Sequence, residues 1–163
     1  MNARAVVPDF ELPATGNQRF RLSAFKGHPF VIYFYPKDDT PGCAMEGADF
    51  RDLHPEFVKA KVSVFGVSRD SLASHERFKA KMNFPFELIS DPDEKACAIF
   101  DVVKMKNMYG RQVRGVVRST FVIDRAGTIA REWRGVKVPN HAREVLEYVR
   151  EAFGGQGTSG VGS

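Results

Sequence analysis

Along the chain, short runs in which nearly every residue is apolar alternate with longer stretches in which apolar residues recur every three to five positions. The first run, PFVIYFY at residues 29–35, is β-branched and aromatic with no polar alternation, the pattern of a strand covered on both faces. Residues 44–60 then place Met45, Phe50, Leu53 and Phe57 at near-helical spacing, which predicts a helix distorted or broken near Pro55. VSVFGVS (62–68) predicts a second buried strand, and SLASHERFKAKM (71–82) a serine-capped helix. FELIS (86–90) reads as a short strand, and PDEKACAIFDV as a helix opening at Pro92 after Asp91.

Either side of this core lie turn-punctuated pairs. FELPATGNQRFRLSAF folds back around Gly16-Asn17, and VVRSTFVID pairs with TIAREWRG across Arg125-Ala126-Gly127. PNHAREVLEYVREAF lines Ala142, Val145, Leu146, Val149 and Phe153 along one helix face, and GGQGTSGVGS (154–163) has nothing to bury and reads as a disordered tail. The order is a hairpin, then β-α-β-α-β-α, then a hairpin and a closing helix. It predicts one domain over 1–153, a three-layer α/β sandwich with a mixed sheet on the thioredoxin-like plan, extended by the N-terminal hairpin.

Composition narrows the classes. The 163 residues carry 43% hydrophobic residues, enough for one core, and no stretch of about 18 apolar residues, so a membrane span is not expected. The opening MNARAVVPDFELPATG lacks the pattern of a secretory leader. Cys43 and Cys97 are too few for a disulfide scaffold and lack zinc-site company, so a reactive thiol in a reducing cytosol, cytoplasmic rather than secreted, fits better. A net charge of +4 is spread among acidic residues, which speaks against nucleic acid as a partner. The one basic cluster, KMKNMYGRQVR (104–114), reads as a solvated loop in preference to a docking surface.

Candidate chemistry concentrates in YPKDDTPGCAMEGADF, residues 35–50. A helix starting there has Thr40 as N-cap, Pro41 at N1 and Cys43 at N3, where unpaired N–H groups and the positive helix end favour a thiolate over a thiol. Gly42 leaves room for a small oxygen-bearing substrate beside the sulfur. A dithiol exchanger needs a second cysteine three residues on, where Glu46 stands. A cysteine hydrolase needs a histidine base, but His28, His54, His75 and His141 carry no local signature and read as surface residues.

Pro36, Thr40 and Cys43 form the P-x-x-x-T-x-x-C signature, and YFYPKDDTPGC, FGVSRDS, LISDPD and RSTFVIDRAG follow in order from about residue 8 to the final helix. In these features the chain resembles the peroxiredoxins, in the bacterioferritin comigratory protein or peroxiredoxin Q branch. The resemblance implies a thiol peroxidase acting on hydrogen peroxide and organic hydroperoxides without metal, haem or flavin. It implies Cys43 as the peroxidatic nucleophile, Thr40 offering its hydroxyl to the peroxide, Pro36 shielding the sulfur and Arg118 holding thiolate and peroxide. A monomer recycled by thioredoxin or by glutathione/glutaredoxin would fit the branch. The chain departs from it at Ala48, where many members carry a resolving cysteine. An external thiol or Cys97 must then resolve the sulfenic acid, and Cys97, beside Ala96, Ile99 and Phe100, reads first as packing. A thioredoxin-fold disulfide reductase, or a redox sensor or holdase signalling through Cys43, are the alternatives.

Overall fold

The computed structural model describes residues 5–153, so the tail expected over 154–163 lies outside the described residues. A seven-stranded mixed sheet forms the middle layer. Its strands are β1 (Glu11–Ala14), β2 (Gln18–Arg21), β3 (Phe30–Phe34), β4 (Ser63–Ser68), β5 (Glu87–Ser90), β8 (Ser119–Ile123) and β9 (Ile129–Arg134), in the order β2-β1-β5-β4-β3-β8-β9. β3, β4 and β5 run parallel, joined by α1 (Pro41–Lys59) and α2 (Leu72–Met82), whereas β8 and β9 return antiparallel. The N-terminal hairpin docks β1 against β5, turning through Gly16 and Asn17, both at positive φ. This is the thioredoxin-like plan with its extension, as the pattern predicts.

β3 is buried along its whole length because both of its faces are covered. Val31, Tyr33 and Tyr35 point to a core filled by Phe50 and Phe57 of α1, Phe78 of α2, and Val145, Leu146 and Val149 of α4 (His141–Ala152). Phe30, Ile32 and Phe34 point to the other core, built from Val7, Phe10, Phe20, Leu22 and the short α3 (Lys95–Phe100). Strict alternation along one strand thus divides the interior into two halves.

Several local expectations need correction. α1 runs unbroken through Pro55. α3 starts at Lys95, not Pro92, because Glu94 sits in the left-handed region at φ 60° and the Asp91 carboxylate accepts from the N–H groups of Lys95 and Cys97. Residues 104–114 do not form a loop: β6 (Val103–Met108) and β7 (Arg111–Val116) pair antiparallel into a separate ribbon. Its turn places Tyr109 at φ 52° and Gly110 at φ 77°, the backbone of a tight hairpin. No helix among the described residues is long and apolar enough to cross a membrane.

α1 and the loop after α2 meet at Gly47, where a Cβ would fall 2.3 Å from Phe84 Cζ. Phe84 is held there by stacking on Phe86 at 4.9 Å and by an edge contact with Phe78 at 5.1 Å. Gly47→Ala is expected to lower stability by about 1–3 kcal/mol in urea unfolding, and adding Phe84→Leu to recover part of that loss in a double-mutant cycle.

Candidate active site

The carboxyl end of β3 leads through Tyr35–Thr40 into α1, so the loop before α1 emerges from a strand buried along its whole length. Thr40 is the N-cap residue in extended backbone and Pro41 opens the helix, which puts Cys43 at N3 as the spacing predicts. The Thr40 hydroxyl does not cap the helix; it donates to Lys37 O at 2.9 Å and so closes the loop on itself. Pro36 stands half-buried on the same loop, while Cys43 is only 2% exposed.

Arg118 reaches this sulfur from the link between β7 and β8. Its Nη2 lies 3.5 Å from Cys43 Sγ and its Nη1 donates to Glu46 Oε1 at 2.6 Å. Gly42 serves that approach: a Cβ there would sit 3.2 Å from Nη2. One guanidinium therefore faces both a thiol and a buried carboxyl. Glu46 is 1% exposed and its Oε2 has no hydrogen-bond partner. Burial pushes its carboxyl up to about 7, against the opposing pull of Arg118. The sequence shows Glu46 only as a missing second cysteine. Its position one helical turn after Cys43, on the same face, is the signal that could reveal it.

A second set of buried polar groups fixes the loop from behind. Asp38 accepts from Tyr35 Oη at 2.6 Å and Ser74 Oγ at 2.7 Å, and its carboxylate lies 2.7 Å from His75 Nδ1. His75 Nε2 faces Ile89 O at 2.9 Å, and the Asp38 N–H donates to Asp70 at 2.8 Å. Burial alone would raise the Asp38 pKa, yet the bonds from His75, Tyr35 and Ser74 hold it below its ordinary value. His75 is fully buried and His141, whose Nε2 meets Thr120 Oγ1 at 2.8 Å, is nearly so. The expectation that both face solvent fails because each fills a polar position inside the fold.

Cys97 lies in the other half of the interior. It is fully buried among Phe10, Phe34, Ala96, Phe100 and Phe121, whereas Cys43 belongs to the cluster of Tyr33, Tyr35 and Phe50. Burial, with the Asp91 carboxylate beside it, pushes the Cys97 thiol far up, away from the nucleophilic thiolate form.

A buried sulfur at a helix start thus faces a guanidinium on a thioredoxin-like sheet. The AhpC/TSA family model matches residues 3–132. This chain belongs to the AhpC/TSA family. Peroxiredoxin Bcp of Xanthomonas campestris is 54% identical over 138 residues, 85% of this chain and 86% of that protein. Peroxiredoxin Bcp of Bacillus subtilis is 44% identical over 144 residues, covering 88% and 92%. A solved structure of the Xanthomonas campestris bacterioferritin comigratory protein, studied for its alkyl peroxide reduction activity, superposes with a TM-score of 0.88 at 48% identity, covering 93% and 99%. The protein is thus a peroxiredoxin of the bacterioferritin comigratory protein and peroxiredoxin Q branch, a thiol peroxidase with the thioredoxin-like fold.

In this peroxiredoxin, Arg118→Met is expected to slow oxidation of Cys43 by peroxide about 100- to 1,000-fold, read by competition with a haem peroxidase. Glu46 sets a pH dependence of stability. Its carboxyl ionises near 4.5 when unfolded and near 7 when folded, so the folded state binds more protons between those values. The resulting stabilisation is complete below 4.5 and disappears as pH rises through about 7. Urea unfolding at pH 5 and pH 8 is expected to show a fall of up to about 3 kcal/mol from this group, largely abolished in Glu46→Gln.

Proposed function

We propose that this peroxiredoxin reduces hydrogen peroxide and organic hydroperoxides through a Cys43 sulfenic acid, and that an external thiol, not Cys97, returns the sulfur to its thiol state. The observation that carries the reading is the contact of Arg118 Nη2 with Cys43 Sγ at 3.5 Å, on the side of the sheet away from Cys97. The Cys43 thiolate attacks the terminal oxygen of ROOH. The S–O bond forms as the O–O bond breaks, Cys43 becomes a sulfenic acid, and the departing RO⁻ takes a proton to leave as ROH. Negative charge grows on that departing oxygen, and Arg118 with the first N–H groups of α1 stabilises it most in the transition state.

Thr40 has its proton committed to Lys37 O, so its oxygen is left to accept from the peroxide O–H. Pro36 on the half-buried loop limits water at the sulfur. Resolution by Cys97 would require the two Cα atoms to come within about 7 Å across a fully packed strand. Ala48, at the branch's usual resolving position, offers no sulfur. In this reading thioredoxin or a glutathione/glutaredoxin system supplies the reducing thiol, and the protein works as a monomer in a reducing cytosol, where such thiols are kept reduced.

Treating the protein and its Cys97→Ser variant with one equivalent of peroxide, then with dimedone, tests the reading by intact mass. The expected result is the same single Cys43 adduct in both. Loss of two hydrogens in the parent alone would instead assign resolution to Cys97.

A further inference from the structure

The β6–β7 ribbon has no part in the chemistry above, yet it joins the site directly. β7 ends at Val116, the Val117 N–H donates to Val102 O to close the base, and the next residue is Arg118. Both strands pair only with each other, and a two-stranded ribbon alone is marginally stable in water. It nonetheless displays Met105, Met108, Val113 and a 97% exposed Tyr109, while elsewhere among the described residues only Val6, Met45 and Val58 are large apolar side chains exposed to this degree. Exposed apolar groups gathered in one place mark contact surfaces.

The register sorts the ribbon into two faces. Val103 lies opposite Val116 and Met105 opposite Arg114, and this face turns inward at the buried Val116. Lys104, Lys106, Met108, Arg111 and Val113 therefore share the outward face. Lys106 lies along Gly115, where a Cβ would meet its Cδ at 3.1 Å, and donates to Val116 O at 3.0 Å. Lys104 pairs with Asp101 and Arg114, on the other face, with Glu94, but the Arg111 side chain has no hydrogen bond or ion pair among the described residues. No acidic residue occurs between Val102 and Ile123. Met108, Val113 and Tyr109 beside Lys106 and Arg111, which have no acidic partner among the described residues, combine an apolar patch with positive charge, and the charge selects an acidic partner.

We propose that the outward face of this ribbon, with Tyr109 at its tip, is the docking surface for an acidic thiol–disulfide protein that reduces oxidised Cys43. The inference rests on the thiol-peroxidase reading with external resolution. A partner footprint of about 800 Å² is roughly 30 Å across, and a six-residue strand about 20 Å long, so one partner can cover the ribbon and still reach Arg118 at its base. The partner's first thiolate attacks the Cys43 sulfur and breaks its S–O bond, and the hydroxide leaves as water. The partner's second thiolate then attacks the partner sulfur of the mixed disulfide and releases the Cys43 thiolate. Two electrons come from the partner dithiol, which ends as a disulfide.

The test is the full-length Tyr109→Asn/Arg111→Glu variant. Asn-Gly is a favoured sequence for this tight turn, so the ribbon keeps its fold. Thioredoxin and glutaredoxin, each with its own reducing system, and dithiothreitol serve as reductants. The expected result is that at least one of the two proteins recycles the parent, with a KM that rises in salt. In the variant that KM rises about tenfold with little salt dependence, while dithiothreitol-driven turnover and stoichiometric oxidation by peroxide are unchanged. Equal KM values in parent and variant would overturn the proposal, as would recycling of the parent by dithiothreitol alone. Ribbon-dependent self-association in sedimentation, or ribbon-dependent binding to anionic vesicles or single-stranded DNA, with no change in reductant KM, would assign the surface elsewhere and also overturn it. Failure of the parent to consume peroxide stoichiometrically would instead overturn the peroxidase reading itself.

Discussion

The active region depends on one guanidinium shared between a thiol and a buried carboxyl. Arg118 touches Cys43 with one nitrogen and Glu46 with another, and both contacts lie where water scarcely reaches. In such a setting a single cation has long reach, because screening is weak. The carboxyl fixes the plane of the guanidinium through one short bond, leaving the other nitrogen to face the sulfur. The backbone is arranged around this need: Gly42 has no side chain, so the guanidinium can approach the helix start. Few side chains other than arginine offer two separated donors in a rigid plane, so lysine would keep the charge without the geometry.

Behind this pair, the loop before α1 is held by groups far apart in the chain. Asp38 gathers Tyr35, Ser74 and His75, and its own N–H is taken by Asp70. The loop is therefore tied to the end of β4 and to the first turn of α2. A loop of this kind, left to itself, would spend entropy on being ordered; tied at several points, it presents Thr40 and Pro36 in one arrangement.

Much of this was legible in the residues themselves. Local signals carried the strand at 30–34, the helix start at Thr40-Pro41-Gly42-Cys43 and the N-terminal hairpin, since each is decided by neighbours in sequence. What escaped is decided by distant partners. Glu46 gains its meaning from Arg118, seventy-two residues away. His75 is buried because Asp38 and Ile89 O meet its two nitrogens, and nothing in SHERF announces either. The start of α3 moved to Lys95 because the Asp91 carboxylate caps it from four residues upstream. In residues 104–114 the charges suggest a loop, while the turn at Tyr109-Gly110 and cross-strand pairing make a ribbon.

The strand that divides the interior has a mechanical meaning. Side chains on the two sides of β3 belong to different clusters, parted by its backbone, which is bonded to β4 on one edge and β8 on the other. Such a strand behaves as a bulkhead. A change at the sulfur of Cys43 presses first on its own compartment, against α1 and α4, while Phe100 and Cys97 lie beyond the partition.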